Sequence, residues 1–203
     1  MKNFLLSVIL IFCQLVFIRW LGTEINVFAY LQNVLLICCF LGFGVGLLSK
    51  EQEATLADSL KMMLILGGLL STSYARSELS QISLAVSAFG QSFVAWNTWH
   101  TTELSSAHFA SIFLGLILIF AIMLLVACTF VPIGRLLGKH LSDNIQPLKA
   151  YGINLFGSLI GLLLFFLCSY LNAPPVIWFT IVVSLIAGYS LFSPCSNRPV
   201  TLL

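Results

Sequence analysis

Charge is the scarce ingredient of this sequence. Only 8% of its 203 residues are Asp, Glu, Lys or Arg, against about 25% in an ordinary soluble domain. With 60% hydrophobic residues and a mean hydropathy of +1.06, a surface made from this composition suits lipid rather than water. The net charge is +2, and no run of five or more basic residues is present. Both facts leave little to grip a nucleic-acid backbone. The length permits a single domain.

Several kinds of chemistry are missing as well. Six cysteines occur, at Cys13, Cys38, Cys39, Cys128, Cys168 and Cys195. They form no C-x-x-C and have no histidine at metal-ligand spacing, so they read as small apolar fillers. His100 and His108 flank Glu103, but their spacing is not that of a helical H-x-x-x-H. No Ser-His-Asp arrangement or phosphate loop is legible. "GFGVG", Gly42–Gly46, fails as a dinucleotide fingerprint, which needs a preceding strand, a third glycine one residue further on and a later acid, because it lies inside an apolar helical run. No metal, cofactor or catalytic residue is expected.

What is present is a series of long apolar runs. A membrane span needs about 20 mostly apolar residues, because a helix rises ~1.5 Å per residue across a ~30 Å hydrocarbon core. Six runs qualify: Asn3–Trp20, Val27–Ser49, Leu60–Ala75, Phe109–Ile133, Ala150–Leu171 and Val176–Phe192. The third is the shortest. The first imitates a signal peptide, but no small-x-small site follows it, and it is expected to stay as a span. The expectation is an all-α integral membrane protein with about six transmembrane helices. Residues 1–192 form a single multi-pass domain, and residues 193–203 a short cytoplasmic tail.

Basic residues orient this series. With the N-terminus inside, Lys2, Lys50, Lys61, Arg135, Lys139, Lys149 and Arg198 fall on the cytoplasmic side, and Arg19 and Arg76 outside. That bias is the positive-inside rule, and it puts both termini in the cytoplasm of an inner membrane. Counting Leu79–Trp96 as a seventh span would reverse it. That segment carries Leu84, Ala88, Phe89, Phe93 and Trp96 roughly on one face and reads as an amphipathic helix on the outer surface. "SKEQEATLADSLK" and "SDNIQP" read as cytoplasmic turns, and "LNAPP" as a tight outer one.

The few polar groups within these runs are the candidate site residues. Arg19 and Glu24 stand at the outer boundary, five residues apart. Arg19 either snorkels to the headgroups or pairs with Glu24 across the turn between the first two spans. Gln14, Gln32, Asn33 and Asn154 lie inside spans, where such groups bond helix to helix. The alternative for these four is a solute path. No acid lies well inside a span, and ion-coupled carriers usually keep one there. Gly42 with Gly46, and Gly157 with Gly161, form G-x-x-x-G pairs that let helix backbones approach closely. On this reading Glu24→Ala reduces folded yield more than ligand affinity.

"FIRWLGTEINVFAYLQNVLLICCFLGFGVGLLSK", "FVPIGRLLGKHL" and "LKAYGINLFGSLIG" together resemble the multi-pass domain of bacterial membrane-bound spermidine synthase-like proteins. The match rests on Arg19, Gly42, Gly44, Gly46, Tyr151, Asn154, Gly157 and Gly161, and residues 60–108 stand outside it. The resemblance implies half of a major-facilitator-type bundle. In that family a cytosolic aminopropyltransferase domain follows. Here only "SPCSNRPVTLL" follows Phe192, so the family's catalysis is not expected of these residues.

Two functional expectations follow. One is a non-catalytic membrane domain in the lipid bilayer that anchors or serves a cytosolic synthase-like protein. The other is a small transporter or channel subunit for a polyamine or similar solute. It would act as a homo-oligomer, because six spans make half of a usual carrier core.

Overall fold

The computed structural model describes residues 2–49, 55–73, 77, 79, 106–142 and 147–192. The amphipathic segment expected at Leu79–Trp96 falls outside them except for Leu79. The tail 193–203, the histidines at 100 and 108, and residues 50–54 and 143–146 of the two cytoplasmic connectors also lie outside.

Among the described residues every regular element is a helix. In chain order these are α1 (Lys2–Glu24), α2 (Asn26–Tyr30), α3 (Gln32–Leu48), α4 (Leu56–Ser71), α5 (Ser106–Ser142), α6 (Pro147–Tyr170) and α7 (Pro175–Phe192). Three are long and apolar enough to cross a membrane: α1, α5 over Phe113–Ser142, and α6 over Leu148–Tyr170. α3, with 17 residues, and α7, with 18, are apolar but shorter, about 26 Å at ~1.5 Å per residue.

Two boundaries differ from the sequence expectation. The second span is not one helix from Val27. Leu31, at φ −103° and ψ 29°, interrupts it and separates α2 from α3, although its own N–H still reaches the Val27 carbonyl at 3.1 Å. The fourth apolar run does not stop at Ile133. α5 continues to Ser142 with Pro132 inside it. A proline there removes one ladder hydrogen bond, and close packing against α3 on both sides of Pro132 holds the helix through the gap.

The hub is α1, whose buried residues include Leu6, Ile9, Phe12, Val16, Phe17 and Leu21. α2, α3, α5, α6 and α7 all touch it. α6 instead presents Leu155, Phe156, Leu163, Phe166 and Leu167 outward. Such a face is stable when hydrocarbon is the solvent.

Glycine sets the two closest helix contacts. A Cβ on Gly42 would overlap the Ala127 carbonyl, and one on Gly46 would overlap the Val131 carbonyl and come within 2.9 Å of Gly134 Cα. Gly134 faces the Phe43 carbonyl in return, and Gly138 meets Leu47. In this seam residue numbers rise together, so α3 and α5 run parallel. The second seam joins α1 to α6. A Cβ on Gly157 would come within 2.6 Å of the Phe4 carbonyl oxygen, and one on Gly161 within 2.8 Å of that of Val8. This pair is also parallel. Antiparallel contacts link the pairs: Gln32 lies beside Gly22, and Phe17 packs on Phe130.

Smaller devices finish the helix ends. α6 ends with Asn172 in the left-handed region, φ 48°, and Ala173 donates back to the Cys168 carbonyl at 3.1 Å. That is the 6→1 bond of a Schellman-type stop. Pro175 then opens α7, where a missing N–H costs nothing. At the start of α4, Thr55 and Asp58 form a capping box, and Lys61 lies 3.0 Å from Asp58. The Lys61 hydrogen bond, followed by those from Thr55, holds the Asp58 carboxyl below its ordinary value.

Two outcomes follow. Gly46→Val and Gly157→Val should each cost about 1–3 kcal/mol or more, because a backbone carbonyl cannot step aside as a side chain can. Gly44→Val and Gly152→Val, which meet open space, should be tolerated; monodisperse yield and melting temperature in detergent compare the four. The contribution of the lowered Asp58 carboxyl is present above the ordinary carboxylate pKa of about 3.9 and is lost as pH falls through the lower folded value. Amide exchange in the first turn of α4 should therefore quicken below about pH 4, and Asp58→Asn should remove that dependence.

Candidate functional site

The parallel pairs sort the molecule into two ends and a middle. At the end where α1 finishes and α7 begins, an aromatic cluster closes the bundle. Phe17 packs edge-on against Trp20, Phe130 and Phe179, with centroids 6.3, 5.8 and 6.5 Å away. Trp20 and Phe179 meet at 4.8 Å. Trp178 is buried, and its indole N–H has no hydrogen-bond partner among the described residues. Above its ring, at 5.7 Å, lies the Arg19 guanidinium, a cation–π contact. A shallow recess of about 540 Å³ opens beside Trp20 and Phe179. The hydroxyls of Thr180 and Ser184, which line it, donate to the carbonyls of their own helix.

Arg19 therefore does not pair with Glu24. Both belong to one continuous helix, and five residues on a helix turn about 140°, so the two side chains leave α1 on different faces. Glu24 is exposed. The expected pairing assumed a turn between them, and α1 extends through it.

Toward the basic end of the bundle, Ser7 on α1 meets Asn154 on α6. The Ser7 hydroxyl lies 2.5 Å from the Asn154 amide and 2.7 Å from the Asn3 carbonyl. A hydroxyl has one proton to give. The Asn154 Oδ1 and the Asn3 carbonyl oxygen are both acceptors and share that one proton, the shorter O–H···O distance being the one to Asn154. Gly157 makes the approach possible, since a Cβ there would come within 2.9 Å of Ser7 Cβ.

Gln14 also belongs to α1 and is only 6% exposed. It lines a groove of about 490 Å³ between α1, α3 and α6, together with Phe40, Gly152, Phe156, Ser158 and Leu159. Gln32 and Asn33 are exposed at the start of α3, and Gln32 lies over Gly22. They do not bond α3 to its neighbours, because the step at Leu31 leaves them on the outer surface. Gln14, Gln32, Asn33 and Asn154 thus occupy separate places and do not converge on one cavity.

Other chemistry is sparse. No three His, Cys, Asp or Glu side chains gather to hold a metal among the described residues. His140 Nδ1 donates to the Leu136 carbonyl at 2.8 Å. The sequence reading missed Ser7, Trp178 and the α5 side of the first seam. The last was legible, since Gly134 and Gly138 form a G-x-x-x-G pair like the two that were recognised. Ser7 and Trp178 carry no local signal, because their partners are distant in the chain.

Arg19→Ala should lower thermal stability by about 0.5–2 kcal/mol, the range of a cation–π contact, while Glu24→Ala should stay within about 0.5 kcal/mol. A double-mutant cycle of Ser7→Ala with Asn154→Ala should give a coupling of about 0.6–1.7 kcal/mol, the range for interhelical bonds in membranes. Zero coupling would mean that the two groups contribute separately. In comparison with known proteins, the chain matches no family model, no curated protein and no solved structure.

Proposed function

We propose that this chain is a non-catalytic, multi-pass membrane protein whose basic end faces the cytoplasm and anchors or serves a soluble partner there. The grouping of cations carries this reading. Parallel packing of α1 with α6 and of α3 with α5, together with their antiparallel links, gathers Lys2, Arg135, Lys139 and Lys149 at one end. Arg19 stands at the other. Cytoplasmic faces carry such an excess. Six alternating spans in a bacterial inner membrane account for it, with α2 and α3 crossing together beside α5 and with α4 and α7 as the shorter members.

The resemblance to the membrane domain of spermidine synthase-like proteins supports a polyamine-synthase-type enzyme as that partner. A small-solute transporter is the second reading. It needs a continuous polar route, and the separation of Gln14, Gln32, Asn33 and Asn154 favours the anchor.

Single-cysteine variants at Lys2, Lys139 and Lys149 should be shielded from a membrane-impermeant maleimide in intact cells, and one at Glu24 should be labelled. The opposite pattern would overturn the orientation. A soluble synthase-like enzyme should copurify with the tagged protein from its own host. Saturable polyamine uptake into proteoliposomes, with no such partner, would favour the transporter.

A further inference from the structure

The groove between α1, α3 and α6 contains an unsolved hydrogen-bonding problem. Gln14 is only 6% exposed and forms no hydrogen bond with any other described residue, yet it borders the groove. It sits near the centre of α1, about 18 Å from Lys2 and about 15 Å from Glu24 at ~1.5 Å per residue. At that depth of a spanning helix no headgroup reaches it, and hydrocarbon offers no partner for an amide. Ser158, on the opposite wall, likewise forms no hydrogen bond with another described residue. The two supply N–H and O–H donors facing an otherwise apolar slot.

The remaining lining narrows the choice of occupant. Phe40 and Phe156 are aromatic faces exposed by 55% and 61%. Gly152 leaves open space beside them, and the α6 residues that border the groove extend about 15 Å along the helix at ~1.5 Å per residue. A volume of about 490 Å³ lies within the ~300–1,000 Å³ range of small-molecule sites. The groove opens sideways, toward the lipid-facing side of α6.

We infer that this groove binds a lipophilic carbonyl compound from the bilayer, a ketone or quinone whose ring lies against Phe40 and Phe156 and whose oxygen accepts from Gln14. A saturated acyl chain fills the space but leaves the amide unpaired. A carbonyl fills it and completes the bond. This site goes beyond the anchoring reading and does not depend on it.

The test uses the full chain in lipid nanodiscs with an alkyl benzophenone, whose carbonyl is both the acceptor and the photoreactive group. Labelling should saturate and map to residues 11–15 and 152–162. Decyl-para-benzoquinone should displace the probe at about tenfold lower concentration than decylbenzene, as expected for one added hydrogen bond. Gln14→Leu should abolish that preference, and Leu159→Trp, which fills the slot, should abolish labelling. If Gln14→Leu does not fold, the competition and Leu159→Trp decide alone. Labelling that never saturates, spreads over the lipid-facing sides of α3 and α6, or survives Leu159→Trp would overturn the site. Equal displacement by quinone and hydrocarbon would overturn the carbonyl class.

Discussion

Backbone touching backbone across two glycine seams is the constraint on which the rest of this protein depends. In lipid, apolar side chains gain little by leaving one hydrocarbon for another, so helices need another reason to associate. Here close approach provides it. Gly42 and Gly46 nest against the Ala127 and Val131 carbonyls, and Gly157 and Gly161 against those of Phe4 and Val8. A methyl group at any of the four would push the helices apart and dissolve the contacts that follow from their nearness.

Those contacts are specific. Ser7 reaches Asn154 only because Gly157 admits it. α5 passes through Pro132 as a helix while the α3 seam holds it before and after. Both seams are parallel, so helices with the same direction stand together and their basic ends gather. Charge asymmetry along the molecule is thus a product of packing as well as of where lysines occur in the chain.

At the opposite end, aromatic rings do what glycines do elsewhere. Phe17, Trp20, Phe130 and Phe179 hold α1, α5 and α7 together edge to face, a geometry that rewards orientation as well as area. Arg19 covers this cluster with its guanidinium and stays exposed. Its partner is a ring on a helix more than 150 residues later rather than the acid five residues on.

Composition and apolar run length were enough to read an all-helical chain with helices suited to lipid, because a bilayer imposes length and hydrophobicity locally. The glycine pairs were legible too, since i and i+4 share a helix face whatever that face meets. Partnership was not. Whether Arg19 meets Glu24 or Trp178 depended on one helix running through a turn that the polar residues suggested. The break at Leu31 has no proline or glycine to announce it, and it turned Gln32 and Asn33 outward. Gln14, conspicuous in the chain only as a polar residue within an apolar run, became the bordering amide of a groove when α3 and α6 closed around α1. Local sequence determines what each helix is and which of its faces can be approached. Only tertiary packing decides which face meets which, because that choice is made by shape and distance between segments far apart in the chain.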